Sequence, residues 1–130
     1  MNLHEWITEV VEARTRFAQK VAQEPLHDPG LVADALRRCE ADRRILARHC
    51  LGTGVSFYST ACDGCGYDDC GPNVENLNDC PELLDLAHAL GITDDELAAL
   101  ERPEPLFAIP SVKRTQATIP AEQTPATFRP

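Results

Sequence analysis

A short polar loop rich in cysteine and glycine constrains the fold of this chain most strongly. Residues 62–66 read Cys-Asp-Gly-Cys-Gly, and Cys80 follows directly before Pro81. Glycine tolerates the positive φ of a tight turn, so the two thiolates of Cys62 and Cys65 can converge on one ion. The alternative is a set of incidental buried or oxidised cysteines. In a reducing cytoplasm clustered thiols are more typical of metal ligands, and the pattern therefore predicts a structural zinc site.

The fourth ligand of this zinc site has two candidates. Cys62, Cys65 and Cys80 supply the first three ligands, and the position of Cys80 at a predicted helix N-terminus favours its thiolate. Cys70 would close a local four-cysteine knuckle within nineteen residues, whereas His49 would contribute from the end of the preceding helix. His49 can also simply interact with the last carbonyls of that helix. We favour His49, because a ligand from the helical part explains how a loop without its own core is held.

Apolar residues at helical spacing predict an N-terminal antiparallel hairpin of two helices. The first helix is expected from Asn2, a capping residue, to about Gln23, and the second from Asp28 to His49. The expected inner face of the first helix repeats at steps of three and four residues. It comprises Leu3, Trp6, Ile7, Val10, Phe17 and Val21. Cys39 and Cys50 are interpreted as small core residues of the second helix.

Two short helices and a tail complete the predicted organisation, which is mainly α. The third helix starts at Pro81, and a capping box of Thr93 and Glu96 starts the fourth. Within the zinc-binding loop, residues 51–80, a run at 55–59 is predicted to pair with a segment around 74–77 as a short β-ribbon. Residues 1–101 form the helical domain, and residues 102–130, which hold six of the ten prolines, form a flexible proline-rich tail.

The charge of the chain is distributed very unevenly. The formal net charge is −9, no Lys or Arg occurs between Arg48 and Arg102, and residues 63–101 contain eleven Asp and Glu. Such a surface repels phosphate, which makes nucleic-acid binding by the loop unfavourable. It is either a solubilising face or a docking surface for a basic protein, and we favour docking because solubilising surfaces ordinarily mix both signs. The residues predicted to bind the partner are Asp85, Asp94, Asp95 and Glu96.

Several motifs in fixed order resemble a family of small proteins, a domain of unknown function widespread in actinobacteria and their phages. The motifs are His-Asp-Pro at 27–29, Arg-Arg-Ile at 43–45 followed by His49, the cysteine pair, and Cys-Pro at 80–81 opening a helix. The resemblance covers about residues 3–90 and lacks the family's acidic-aromatic ending. It implies a phage or actinobacterial context and no activity. The family's matching histidine supports His49 as a ligand.

Three functions follow from these patterns. The preferred one is a non-enzymatic, cytoplasmic adaptor held together by zinc that binds a protein, a host factor if the chain is phage-encoded. Neither a signal sequence nor a run of 18 apolar residues is visible, and four protein ligands would leave no zinc position open for water. The second is a nucleic-acid-associated regulator that uses a basic stripe of Arg37, Arg44 and Arg48. The third is a thiol redox switch that uses Cys70.

Overall fold

Four α-helices dominate the computed structural model, which describes residues 1–52 and 58–105, and this confirms the predicted mainly α class. The helices are α1 (Leu3–Val21), α2 (Pro29–Arg48), α3 (Pro81–Ala89) and α4 (Asp94–Ala99). The loop between α2 and α3 carries two single-turn 3₁₀ helices, Asp63–Cys65 and Leu77–Asp79. It also carries two antiparallel strands, β1 (Tyr67–Asp68) and β2 (Gly71–Pro72), in which Tyr67 lies opposite Pro72.

A short antiparallel ribbon lies within the loop at a position that the sequence did not indicate. The described strands occupy residues 67–72, where a two-residue turn joins them. Residues 53–57, which hold most of the run predicted to form the ribbon, lie outside the described residues. The segment around 74–77 makes two single backbone hydrogen bonds. Cys62 N donates to Val74 O at 3.1 Å, and Leu77 N donates to Thr60 O at 2.7 Å.

Local capping interactions set the starts of the helices. At α1 the side chain of Asn2 accepts from Glu5 N, and the Glu5 carboxylate accepts from Asn2 N, both at 2.9 Å. Thr93 and Glu96 form the same reciprocal box at α4, with distances of 3.1 and 3.2 Å. Each box satisfies amide groups that the first turn of a helix leaves without partners. The predicted cap at Asn2 and the predicted capping box of Thr93 and Glu96 are therefore confirmed.

The core lies where α3 packs across the hairpin. Leucine side chains of α3 and of the 3₁₀ turn before it are buried against α1 and α2. Two of the cysteines, Cys62 and Cys80, have no exposed surface and belong to the same cluster. The other core residues are Leu3, Ile7, Val11, Cys39, Leu46, Leu77, Leu83, Leu86, Ala87 and Leu90. The loop thus contributes its thiols directly to the core of the helical domain.

The buried face of α1 differs from the expected one beyond its second turn. Val11 and Ala18 are buried, whereas Phe17 is 70% exposed. An α-helix advances 100° per residue, so a stripe that begins at Leu3 and Ile7 continues through Val11. Thr15 and Ala18, small enough for close approach to α2, take the next buried positions. Phe17 consequently projects from the side of the hairpin.

Asn78 joins three distant parts of the chain. Its side-chain oxygen accepts from Leu3 N at 3.1 Å, and its amide donates to Glu101 O at 3.0 Å. Arg102 then forms two hydrogen bonds with the carboxylate of Asp79, at 3.0 and 2.6 Å. These contacts fasten the segment after α4 to the start of α1 and to the turn that precedes Cys80. The remainder of the proline-rich tail, residues 106–130, lies outside the described residues.

Candidate metal centre

The ends of secondary structure elements bring His49 and three cysteines together. His49 is the C-terminal cap of α2, and Cys80 is the N-terminal cap of α3. Cys62 caps the first 3₁₀ turn, and Cys65 is its last residue. The Cys80 side chain makes no capping hydrogen bond, so its sulfur is directed to the cluster rather than to the helix amides. The four residues therefore connect the hairpin and α3 to the loop.

The atoms of the cluster are close to one another. Nδ1 of His49 lies 3.4 Å from Cys62 Sγ, 3.6 Å from Cys65 Sγ and 3.3 Å from Cys80 Sγ. Cys80 Sγ lies 3.6 Å from Cys62 Sγ and 3.5 Å from Cys65 Sγ. All four candidate ligand atoms lie within 4.8 Å of one another. All six cysteines of the chain are free thiols.

These separations fit the edges of a tetrahedron around one ion. Bond lengths of about 2.3 Å for Zn–S and about 2.05 Å for Zn–N would place tetrahedral sulfur atoms about 3.8 Å apart, and sulfur about 3.6 Å from nitrogen. The observed S···S and N···S distances, 3.5–3.6 Å and 3.3–3.6 Å, are within a few tenths of an ångström of those values. The donor set therefore matches a four-coordinate metal site.

Two glycines of the loop make this approach possible, for different reasons. Gly66 has a φ of +78°, as the sequence predicts for the turn. Gly64 is not at positive φ in this structure; instead, a Cβ at this position would lie 2.7 Å from the carbonyl carbon of Arg48 and 3.0 Å from Nδ1 of His49. Position 64 therefore needs glycine because the loop touches the last turn of α2. The prediction that position 64 needs glycine for a positive φ was wrong. Close packing against Arg48 is what requires glycine there.

Backbone hydrogen bonds hold the loop against α2. Asp63 N donates to Cys50 O at 2.9 Å, and an isolated antiparallel bridge joins Leu51 to Cys62. The side-chain amide of Asn73 donates to Cys65 O at 2.9 Å. Sequence reasoning missed Asn73, because its partner lies eight residues earlier and no local pattern relates the two. Together these bonds orient the two thiols of the turn toward His49.

Burial favours the protonated form of the Cys62 and Cys65 thiols when no ion is bound. Cys62 has no exposed surface, and this burial together with hydrogen bonding by its cysteine neighbours raises the pKa of its thiol to about 12. Burial also raises the pKa of Cys65, with further contributions from Cys80 and the carboxylate of Glu82. A metal ion would supply the positive charge that stabilises these thiolates, so metal binding and thiol ionisation are coupled.

The remaining cysteines lie apart from this group. Cys70 is exposed at the turn between β1 and β2, where its backbone N–H donates to the carboxylate of Asp68 at 2.8 Å. Cys39 is buried in the core, as predicted, and Cys50 is only partly buried, with its thiol donating to Ala47 O at 3.4 Å. In the part of the chain that the structure describes, the local four-cysteine knuckle is therefore not assembled, and His49 occupies the fourth corner.

The predicted partner-binding carboxylates are all exposed but are not equivalent. Asp85, Asp94 and Asp95 project from α3 and α4. Glu96 is engaged within the chain, since it caps α4 and also accepts from the indole N–H of Trp6 at 3.3 Å. Hydrogen bonds from Thr93 lower the pKa of Glu96. Glu96 is thus a structural residue of the α1–α4 contact, and the three aspartates are the available charges.

The basic stripe of α2 is partly neutralised by carboxylates on the same helix. Arg37 forms an ion pair with Asp34, and Arg44 lies 3.4 Å from a carboxylate oxygen of Glu40. Glu40 also lies 3.6 Å from Arg43. Arg48, at the end of α2, makes no ion pair with any residue that the structure describes. The stripe therefore presents less positive charge than its three arginines alone suggest.

Comparisons with known proteins return no relative of this chain. No family model, curated protein or solved structure matches it. Among the described residues, the helices include none with the length and apolar character that a membrane crossing requires.

Proposed function

We propose that this chain is a small, non-enzymatic adaptor whose helical domain is stabilised by one zinc ion and whose acidic surface binds a protein partner. The observation that carries the proposal is the cluster of His49, Cys62, Cys65 and Cys80. Four protein ligands would fill all four positions of a tetrahedral ion and leave none for water. Zinc sites with four protein ligands are structural, whereas catalytic ones keep an open position. The ion would connect the hairpin to α3, and through α3 to the acidic helices.

Zinc fits this donor set better than the alternatives. Three sulfurs and one imidazole nitrogen in tetrahedral arrangement suit zinc or iron bound by cysteines, whereas magnesium and calcium require oxygen ligands. The test is elemental analysis of the full chain purified under reducing conditions without chelator. We expect one zinc per chain and a colourless protein. A visible absorption spectrum with stoichiometric iron, or no bound metal, would contradict the assignment.

The acidic surface supports the adaptor part of the proposal. Residues 49–101 contain no Lys or Arg, and Asp85, Asp94 and Asp95 are exposed without an ion pair among the described residues. Uncompensated charge of one sign costs self-repulsion, and a basic partner would relieve it. Such an interface associates rapidly and weakens with salt.

Charge reversal with a matched control tests this surface. The full chain is used to capture proteins from an actinobacterial lysate, a choice that follows from the family resemblance. A variant with Asp85, Asp94 and Asp95 all changed to Lys should lose the captured partner. A control with Glu9, Glu12 and Glu24 changed to Lys carries the same charge change on the hairpin and should retain it. Both variants must keep wild-type zinc content, which separates failure of binding from failure of the metal site.

The same experiment addresses the competing function. If the aspartate variant still captures the partner, and changing Arg37, Arg44 and Arg48 to Glu abolishes capture, the basic stripe carries the function. A truncation tests the contribution of the tail. It should end after Pro105, because Arg102 and Pro103 both form hydrogen bonds with the loop before α3.

A further inference from the structure

An apolar groove continues the cleft in which α3 lies. α3 packs across the near half of the hairpin, and Arg14 marks where it ends, since its guanidinium donates to Leu90 O at 3.3 Å. Beyond this point a groove of about 560 Å³ is lined by described residues of α1 and α2. Cys39 belongs both to the core under α3 and to the lining of the groove. The groove is therefore a continuation of the surface that α3 covers.

The groove presents mainly apolar surface. Two large apolar side chains of its lining, Phe17 and Leu31, are each 70% exposed. The other apolar residues that line it are Val10, Ala13, Ala18, Val21, Val32, Ala35 and Cys39. The chain as a whole is strongly charged, with a formal net charge of −9. Contiguous exposed apolar surface on such a chain marks an interaction site.

The dimensions of the groove and the example of α3 indicate a helix as its occupant. The lining runs from Val10 to Val21 on α1 and from Leu31 to Asp42 on α2. At the rise of an α-helix each stretch is about 16 Å long, or about three turns. The core residues of α3 and its C-terminal cap recur at i, i+3, i+4 and i+7, and they are Leu83, Leu86, Ala87 and Leu90. A second helix in line with α3 and with the same spacing would pack on the same two helices.

The charged residues of the lining favour an acidic group at the end of the groove that adjoins α3. These residues are Arg14, Arg38 and Asp42. Arg38 lies 3.6 Å from the buried carboxylate of Asp42, whereas Arg14 makes no ion pair with any described residue. The lining thus contains two guanidinium groups and one carboxylate. A carboxylate of the occupant beside Arg14 would balance the second guanidinium.

We propose that the groove binds an amphipathic helix of a partner protein, placed in line with α3. The helix packs apolar residues at i, i+3, i+4 and i+7 against Phe17 and Leu31, and it places a Glu or Asp beside Arg14. Bound in this way, it extends the layer formed by α3 along the far half of the hairpin. The site lies on the hairpin and does not include the exposed aspartates of α3 and α4, so it stands independently of the interaction proposed for the acidic surface.

Two other occupants fit the groove less well. Residues 106–130 of the same chain contain three basic residues and one acidic residue, and prolines at 110, 120, 125 and 130. Their net charge has the same sign as that of the lining, and proline interrupts helices. A second copy of the chain would bring a second set of the same two arginines to the groove, together with another acidic α3 layer on the same face, and like charges would oppose the contact.

Binding of a designed peptide to the zinc-loaded full chain tests the proposal. The probe is a labelled peptide of about fourteen residues, long enough to form a helix, with leucines at the stated spacing. Its one Glu lies at the N-terminal end, where the helix dipole also favours an acid. We expect saturable binding by fluorescence anisotropy.

Variants of the chain locate the binding site. Changing Phe17 and Leu31 together to Glu should weaken binding by at least about tenfold, because each apolar contact contributes more than 1 kcal/mol when buried. Helix content and zinc content should not change, since both side chains are already exposed. The control is Leu26→Glu, which should bind like the wild type. Leu26 is 99% exposed in the connection between the helices and does not line the groove.

A second peptide, with Gln in place of the Glu, tests the acidic group. It should bind the wild-type chain about two- to fivefold more weakly, the range of an exposed ion pair. The variant Arg14→Gln should bind both peptides equally. The control is Arg48→Gln, which should keep the difference between the peptides. Arg48 also makes no ion pair among the described residues, but it does not line the groove.

Three results would overturn the proposal. The first is the absence of saturable binding by either peptide, or binding that survives the changes at Phe17 and Leu31. The second is a chain ending after Pro105 that binds the peptide more than about tenfold more tightly than the full chain, which would assign the groove to residues 106–130. The third is a dimer, seen by sedimentation equilibrium, that the same two changes abolish, which would assign the groove to a second copy.

Discussion

Gly64 packs directly against the carbonyl group of Arg48, at the point where the metal-binding loop meets the end of α2. A Cβ at position 64 would lie 2.7 Å from the Arg48 carbonyl carbon and closer still to its oxygen. Real Cβ atoms do not approach carbon so closely, and the obstacle is backbone that cannot rotate away. The position of the Cys-x-x-Cys turn relative to His49 therefore depends on the absence of a side chain here.

The first prediction follows from this contact. Gly64→Ala should push the loop away from α2 and separate Cys62 and Cys65 from His49, which lowers both zinc affinity and thermal stability. Overpacking of this kind costs about 1–3 kcal/mol. Gly52→Ala is the matched control in the same loop, because its Cβ would make only ordinary side-chain contacts, with the Tyr67 hydroxyl at 3.4 Å and the Asp63 carboxylate at 4.0 Å. Chelator competition and thermal unfolding of both variants measure the effect, and equal behaviour of the two would contradict the close-packing role.

The second prediction separates the two candidates for the fourth ligand. His49→Ala should reduce zinc affinity by more than about 100-fold, the upper range for loss of a residue that merely supports a ligand. Cys70→Ala should retain full zinc, because Cys70 is exposed at the β1–β2 turn, apart from the cluster. Zinc content and thiol titration of the two purified variants give the answer. Loss of zinc in the Cys70 variant alone would establish the local four-cysteine knuckle instead.

The third prediction concerns protons. With its pKa raised to about 12, Cys62 is protonated at pH 7 in the metal-free chain, and Cys65, whose pKa is also raised, is protonated too. A zinc ion must displace at least these two protons, so zinc affinity should rise with pH, by roughly 100-fold per pH unit below neutrality. Calorimetry in buffers of different ionisation enthalpy counts the protons released. Cys70→Ser should release the same number, and release of fewer than two would refute the coupling.

The fourth prediction concerns the hydrogen bonds that join Asn78 to Leu3 and to Glu101. Asn78→Ala should leave Leu3 N without a partner in a buried position, and Glu101 O without one in a partly buried position. We expect this to destabilise the fold by about 1–3 kcal/mol. Asn73→Ala removes one exposed side-chain hydrogen bond, to Cys65 O, and should cost about 1 kcal/mol or less. Chemical unfolding of the zinc-loaded variants provides both values. A smaller loss of unfolding free energy for Asn78→Ala than for Asn73→Ala would show that the hydrogen bonds of Asn78 contribute little to stability.

Local interactions explain which parts of the fold were predictable. The capping boxes at Asn2 and Thr93 involve residues three positions apart, so their partners are visible in the sequence. The Cys-x-x-Cys spacing is likewise local. The exposed position of Phe17 was not predicted, because a stripe drawn through every apolar residue ignores which neighbours are small enough to touch a second helix. The strands at 67–72 were not predicted, because two-residue strands carry almost no periodic signal.

By itself, the sequence determined the helix starts, the mainly α class and the cysteine group from which three ligands come. Only the tertiary structure decided between His49 and Cys70, since that choice depends on how the loop packs on the last turn of α2. The same packing assigned Gly64 its steric role and directed Asn78 to partners 75 and 23 residues away. Such contacts join residues that no sequence period relates, because they form only when separate helices bury one common core.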